Sequence, residues 1–123
     1  MGSETNMLGI IPVLPSADIA RDIDWYDRQT GFKAIYHDKM YAVLKRDGLY
    51  LHLQWHAGTE NDPLLGGSVI RVFVKNIMPL FNEFVERGTV IRGKFVNNTP
   101  WGTNEFGFFD LNNNAIFIVE DIE

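Results

Sequence analysis

Thr99-Pro100-Trp101-Gly102-Thr103-Asn104-Glu105-Phe106-Gly107-Phe108-Phe109-Asp110, followed by Leu111-Asn112-Asn113-Asn114 and then Ala115-Ile116-Phe117-Ile118-Val119-Glu120, is the stretch that decides the fold. It reads as a loop, a strand, a tight polar turn and a last strand. Pro100 and Gly102 interrupt regular structure on either side of a tryptophan. Phe106, Phe108 and Phe109 suit a strand, as do Ile116 to Val119. The asparagines between them can turn the chain, because Asn tolerates positive φ and bonds its own backbone. A chain closing on such a hairpin is built at least partly on antiparallel sheet.

Upstream, the pattern alternates strands with two helices. Leu8 to Leu14 is an apolar run closed by Pro15, read as a first strand that Pro12 confines to an edge or bulge. Ser16 or Asp18 offers a helix N-cap. Ile19, Ile23 and Tyr26 mark one face of a helix from Asp18 to Arg28, which Gly31 ends. Phe32–His37 and Tyr41–Arg46 read as strands, and Asp47-Gly48 as a hairpin turn. Leu49 to His56 alternates: Leu49, Leu51, Leu53 and Trp55 point one way, and Tyr50, His52, Gln54 and His56 the other. One face suits a helix-covered core; the other suits a cavity or solvent. Ala57 to Gly67 is a linker. Ser68 to Lys75 is a strand. Ile77, Leu80, Phe81, Phe84 and Val85 mark a second amphipathic helix with Pro79 in its first turn, closed by Gly88. Thr89 to Val96 reads as one more strand before the terminal hairpin. The pattern is strand, helix, three strands, and then the same again: an α+β chain of two βαβββ modules.

Composition bounds the function. With 123 residues, 46% of them hydrophobic and 13% aromatic, one compact unit with a substantial core is expected. Residues 1–7 read as a disordered tail and 8–123 as a single domain, with modules over 8–56 and 68–120. The chain has no cysteine, which removes disulfides, thiolate nucleophiles and thiolate metal sites. A net charge of −5 argues against nucleic acid as a partner. The polar start of the chain and the lack of a long apolar run predict a cytoplasmic protein without membrane association. No nucleophile elbow, Walker loop or dinucleotide fingerprint occurs. His52 and His56 lie four apart on a strand, roughly 13 Å, which does not suit a chelate.

Pro100-Trp101-Gly102, Glu105-Phe106, Asp110 and Asn114 resemble the C-terminal hairpin of the vicinal-oxygen-chelate superfamily (glyoxalases, bleomycin resistance proteins and ring-cleaving dioxygenases), and within it the bleomycin-resistance branch. Asn104 stands where that branch has Arg, Leu111 where it has Pro and Asn113 where it has Gly. Asp22-Ile23-Asp24-Trp25-Tyr26 and Thr30-Gly31-Phe32 also resemble the superfamily's first helix. The resemblance spans Gly9 to Glu120. It implies one curved mixed sheet around a cavity, with the helices outside, and a homodimer. The four metal-ligand positions of the enzymes fall near Ile11, at His52, near Val69 and near Phe117. Only His52 could ligate, and a divalent ion needs at least three protein donors. No metal, cofactor or catalytic residue is therefore expected.

What the resemblance implies instead is a binding cavity. Trp101 matches a tryptophan that lines a ligand groove at the dimer interface; it either does that here or closes the interface without a ligand. Val69, Arg71 and Phe73 should face the cavity. Arg71 either receives an anionic group of a ligand or pairs with an acid such as Glu105. The candidate ligand-binding residues are Trp101, Arg71, His52, Tyr50, Gln54, Phe73, Asn104 and Glu105. The expected function is non-catalytic sequestration of a small molecule, of the antibiotic-resistance type. The alternatives are a divergent metal-dependent glyoxalase- or dioxygenase-like enzyme, and a structural dimer with a vestigial cavity.

Overall fold

The structure, a computed structural model, describes residues 5–122. The disordered tail expected over residues 1–7 falls partly outside them. In the first module, β1 (Val13–Ser16) leads into α1 (Ile19–Thr30), and β2 (Lys33–His37), β3 (Tyr41–Arg46) and β4 (Leu49–Trp55) follow. In the second, β5 (Val69–Phe73) leads into α2 (Ile77–Glu86), a 3-10 turn (Arg92–Lys94), β6 (Thr103–Phe109) and β7 (Ala115–Asp121). The first sheet is ordered β1-β4-β3-β2 and the second β5-β7-β6, each with one parallel pair. The α+β repeat expected from the sequence is present.

Three expectations need correction. The first strand begins at Val13, not Leu8. Pro12 has no N–H to donate, and among the described residues the one ladder contact upstream of Val13 is its carbonyl, which accepts from the His52 amide at 3.0 Å. The strand expected over Thr89–Val96 is a single bridge, Val96 to Glu105, because Lys94 N–H turns back to the Ile91 carbonyl around Gly93. And the strands form two sheets rather than one curved sheet, with the helices between the sheets rather than outside.

That last arrangement follows from what the helices touch. Asp18 caps α1 by accepting from the Arg21 amide, and Gly31 closes it at φ 75°. Besides packing on its own sheet, α1 puts Trp25 against Phe108 and sends the Tyr26 hydroxyl to Asp110 in the second module. From α2, Glu83 takes a bidentate pair of bonds from Arg46 of β3 at 2.7 and 2.8 Å, and Phe84 packs on Phe106 and Phe108. The Arg46 guanidinium and then Arg87 hold the Glu83 carboxyl below its ordinary range, although burial opposes them. Leu44, Leu51 and Leu53 of one sheet and Phe106, Ile116 and Ile118 of the other belong to one buried cluster. The two sheets therefore turn their apolar faces toward a shared core and their other faces outward, in different directions.

A polar clamp fastens the β6–β7 turn to α1. Asp22, buried within the apolar stripe of α1, accepts from Ser16, Arg21 and the Asn112 side chain. Asp110 accepts from the Asn112 and Asn114 amides, the Asn114 side chain and the Tyr26 hydroxyl. Burial, and next the Asp110 charge, push the Tyr26 phenol far above its ordinary value, so it remains a donor.

Candidate functional site

The outward face of the second sheet gathers the aromatic and charged residues. Alternation along β5 places Val69, Arg71 and Phe73 on it. Arg71 stands opposite Phe117 on β7, and Phe117 stands opposite Gly107 on β6. Gly107 is required there: a Cβ would lie 2.6 Å from the Phe117 ring, which occupies the space a side chain would need. The ring is thus laid across the strand and presented to Arg71, whose guanidinium carbon is 5.9 Å from the centroids of both Phe117 and Phe73.

Glu105 organises the remainder. It is 7% exposed, and its Oε2 accepts from Arg71 Nη2 at 3.0 Å, Trp101 Nε1 at 3.1 Å and the Thr103 hydroxyl at 2.6 Å. Burial raises the Glu105 carboxyl, but the bonds from Thr103, Arg71 and Trp101 outweigh it, and the group sits below its ordinary range. Thr103 is fixed in turn by the Thr99 hydroxyl at 2.6 Å. Trp101, by contrast, is 65% exposed. Its edge is tied to a buried carboxylate while most of its surface faces outward, an arrangement suited to stacking a flat molecule.

Tyr50, His52 and Gln54 lie on the outward face of the first sheet; Tyr50 shares a cleft with Arg71 and Phe73, while His52 and Gln54 lie away from them. His52 Nδ1 is 2.7 Å from the Tyr41 hydroxyl, and Lys45 lies over the Tyr50 ring. Val13, not Ile11, stands opposite His52. Asn104 turns to the other side of β6, bonding Glu120 and the Asn98 amide. So Trp101, Arg71, Phe73 and Glu105 come together, Tyr50 reaches Arg71 and Phe73 across the cleft between the modules, His52 and Gln54 stand apart, and Asn104 joins neither group. Thr103 and Gly107 were absent from the sequence-based set, and Phe117 entered it only as a lost ligand position. Their signal was the i, i+2 spacing from Glu105 and Thr103 along β6 and the small residue facing a large one. Among the described residues, no group of three His, Cys, Asp or Glu side chains could hold a metal ion, and no helix is long and apolar enough to cross a membrane. An apolar cleft of about 640 Å³ opens between the modules; Arg71 and Phe73 line one side of it and Leu49 and Tyr50 the other, with Leu8 and Ile10 at its rim. Trp101 and Glu105 do not line it.

No family model matches the chain. It is 25% identical to the bleomycin resistance protein of Geobacillus stearothermophilus, across 95% of this chain and 99% of that protein. A bleomycin-binding protein solved in complex with bleomycin superposes with a TM-score of 0.76 at 19% identity, covering 94% of this chain and 99% of that one. A glyoxalase/bleomycin resistance protein/dioxygenase from Nocardioides superposes at 0.74 with 16% identity, covering 98% and 87%. The chain thus has the glyoxalase/bleomycin resistance/dioxygenase fold.

Proposed function

We propose that this chain is a small-molecule binding protein of the bleomycin-resistance type, which sequesters its ligand against the outward face of the second sheet. The carrying observation is Trp101, exposed in its ring yet anchored at its edge by the buried Glu105. Similarity to bleomycin resistance proteins along nearly the whole chain supports the same reading. Bleomycin and planar aromatic acids should each be titrated while tryptophan emission is followed. At least one is expected to quench part of the emission saturably, and Trp101→Phe, which keeps Trp25 and Trp55, is expected to remove that part. A saturable signal that survives in Trp101→Phe would place the ligand elsewhere, and no signal from either class would count against the reading.

The working unit we propose is a homodimer. In one protomer the two outward faces look in different directions, so each offers half a groove, and a second copy would supply the other half. The segment before β1 supports this, because Leu8 and Ile10 are 96% and 94% exposed. An apolar arm so exposed suits burial against another copy, and β5 offers it a free sheet edge. Light scattering during gel filtration is expected to give twice the chain mass, and Ile10→Asp is expected to shift the protein to monomer at micromolar concentration. A wild-type monomer would remove the dimer from the proposal.

A metal-dependent glyoxalase- or dioxygenase-like enzyme remains the alternative. It finds little support, since His52 is the sole candidate donor at the four positions the resemblance marks.

A further inference from the structure

Arg71 uses little of its hydrogen-bonding capacity. Among the described residues it makes one hydrogen bond, from Nη2 to Glu105, and its side chain is 38% exposed. Among the described residues, no group accepts from its Nε or Nη1. The carboxylate oxygen beside it, Glu105 Oε2, already receives three donors. The faces of Phe73 and Phe117 are also served: the cation lying over both rings is Arg71 itself. A cationic ligand arriving here would find its aromatic seats taken and a like charge in them. What the face still offers is the outer edge of a guanidinium beside the indole of Trp101.

We propose that this face selects planar aromatic ligands bearing a carboxylate or similar anionic group, with the ring stacked on Trp101 and the anion held by the free N–H groups of Arg71. The assignment rests on the binding reading above and narrows its ligand class. A guanidinium flanked by two phenyl rings keeps its plane and direction, so the two parallel N–H bonds that a carboxylate accepts need little further ordering. Glu105 does not cancel this. It engages a single nitrogen of Arg71 and shares its charge with Trp101 and Thr103, which leaves the outer edge of the cation uncompensated. Asp121, the acid that β7 places on this face, lies at the strand end opposite Thr103.

The test uses two probes with one ring system, 2-naphthoate and 2-naphthylmethylammonium, titrated into the full chain by calorimetry at low salt. Their binding is mapped by amide and indole N–H resonances. Naphthoate is expected to bind about tenfold more tightly, with the Trp101 indole signal moving, and half-molar salt is expected to shrink the preference. Arg71→Gln is expected to abolish the preference, while Arg71→Lys, which keeps the charge but not the fork, retains part of it. Tighter or equal binding of the ammonium probe through Trp101 would overturn the anion assignment and leave the binding reading standing. A preference unchanged in Arg71→Gln would overturn it as well. If neither probe moves the Trp101 signal, both fall.

Discussion

Asp110→Ala is expected to cost about 4 kcal/mol of stability and to lower the melting temperature by about 15 °C. The carboxylate is buried, and removing it strands the Tyr26 hydroxyl, the Asn112 and Asn114 amides and the Asn114 side chain, which lie 2.6 to 2.9 Å from it. Each stranded buried donor costs roughly 1–3 kcal/mol, and the sum is reduced where water can enter the gap. Tyr26→Phe removes one partner and should cost about 1–2 kcal/mol. Urea titrations of both variants and of the double variant would read the coupling, expected at about 1 kcal/mol or more. An Asp110→Ala cost below about 1 kcal/mol would mean that the turn is held by its backbone alone and that the clamp on α1 is incidental.

Glu105→Ala is expected to leave the fold intact and to weaken binding of a stacking ligand at least about tenfold. The loss comes from order rather than contact. Without the carboxylate, the Trp101 indole, the Thr103 hydroxyl and the Arg71 guanidinium lose their common acceptor. The ring must then be re-ordered by the ligand at the ligand's expense. Hydrogen exchange of the Trp101 indole N–H is the direct readout, slow in the wild type and fast in the variant. The pH dependence has a definite sign. Because the folded-state value of Glu105 is depressed, its contribution is complete above the ordinary glutamate value of about 4.3. It is lost as pH falls below that value and through the folded one. Acidification through this window should release the Trp101 indole in the wild type and change nothing in Glu105→Ala.

The modules were legible because their signals are strong and local. The alternation of Leu51 and Leu53 with Tyr50, His52 and Gln54 fixes the faces of β4, and Ile19, Ile23 and Tyr26 fix the face of α1. How the modules meet was not legible. An apolar face states that it must be covered, and Leu44 and Phe106 carry no label saying whether a helix, a sheet or a second module covers them. The strand expected over Thr89–Val96 failed because Gly93 and the Ile91–Lys94 turn outweigh a short apolar pattern. The Asp22 clamp left one trace, an acid set among the apolar positions of a helix, whose meaning depends on Ser16 and on Asn112, ninety residues away. Of the candidate site, the exposed loop placement of Trp101 was legible from its Pro/Gly bracket. The pairing of Arg71 with Glu105 was one of two readings, and the structure has it. Asn104 was misplaced because its neighbour Glu105 takes the outward position and strand geometry sends Asn104 the other way.

The sharing of one core by two back-to-back sheets separates the residues that fold this protein from those that meet its surroundings. Arg71, Phe73, Trp101, Tyr50 and Gln54 stand on surfaces that the buried cluster does not need. Change at these positions can be tried almost independently of folding, one at a time or in combination. On the binding reading proposed above, such a chain could shift from one small molecule to another through substitutions that leave a stable protein at every step. Gly107 is the exception, since any side chain there displaces the ring on which Arg71 rests.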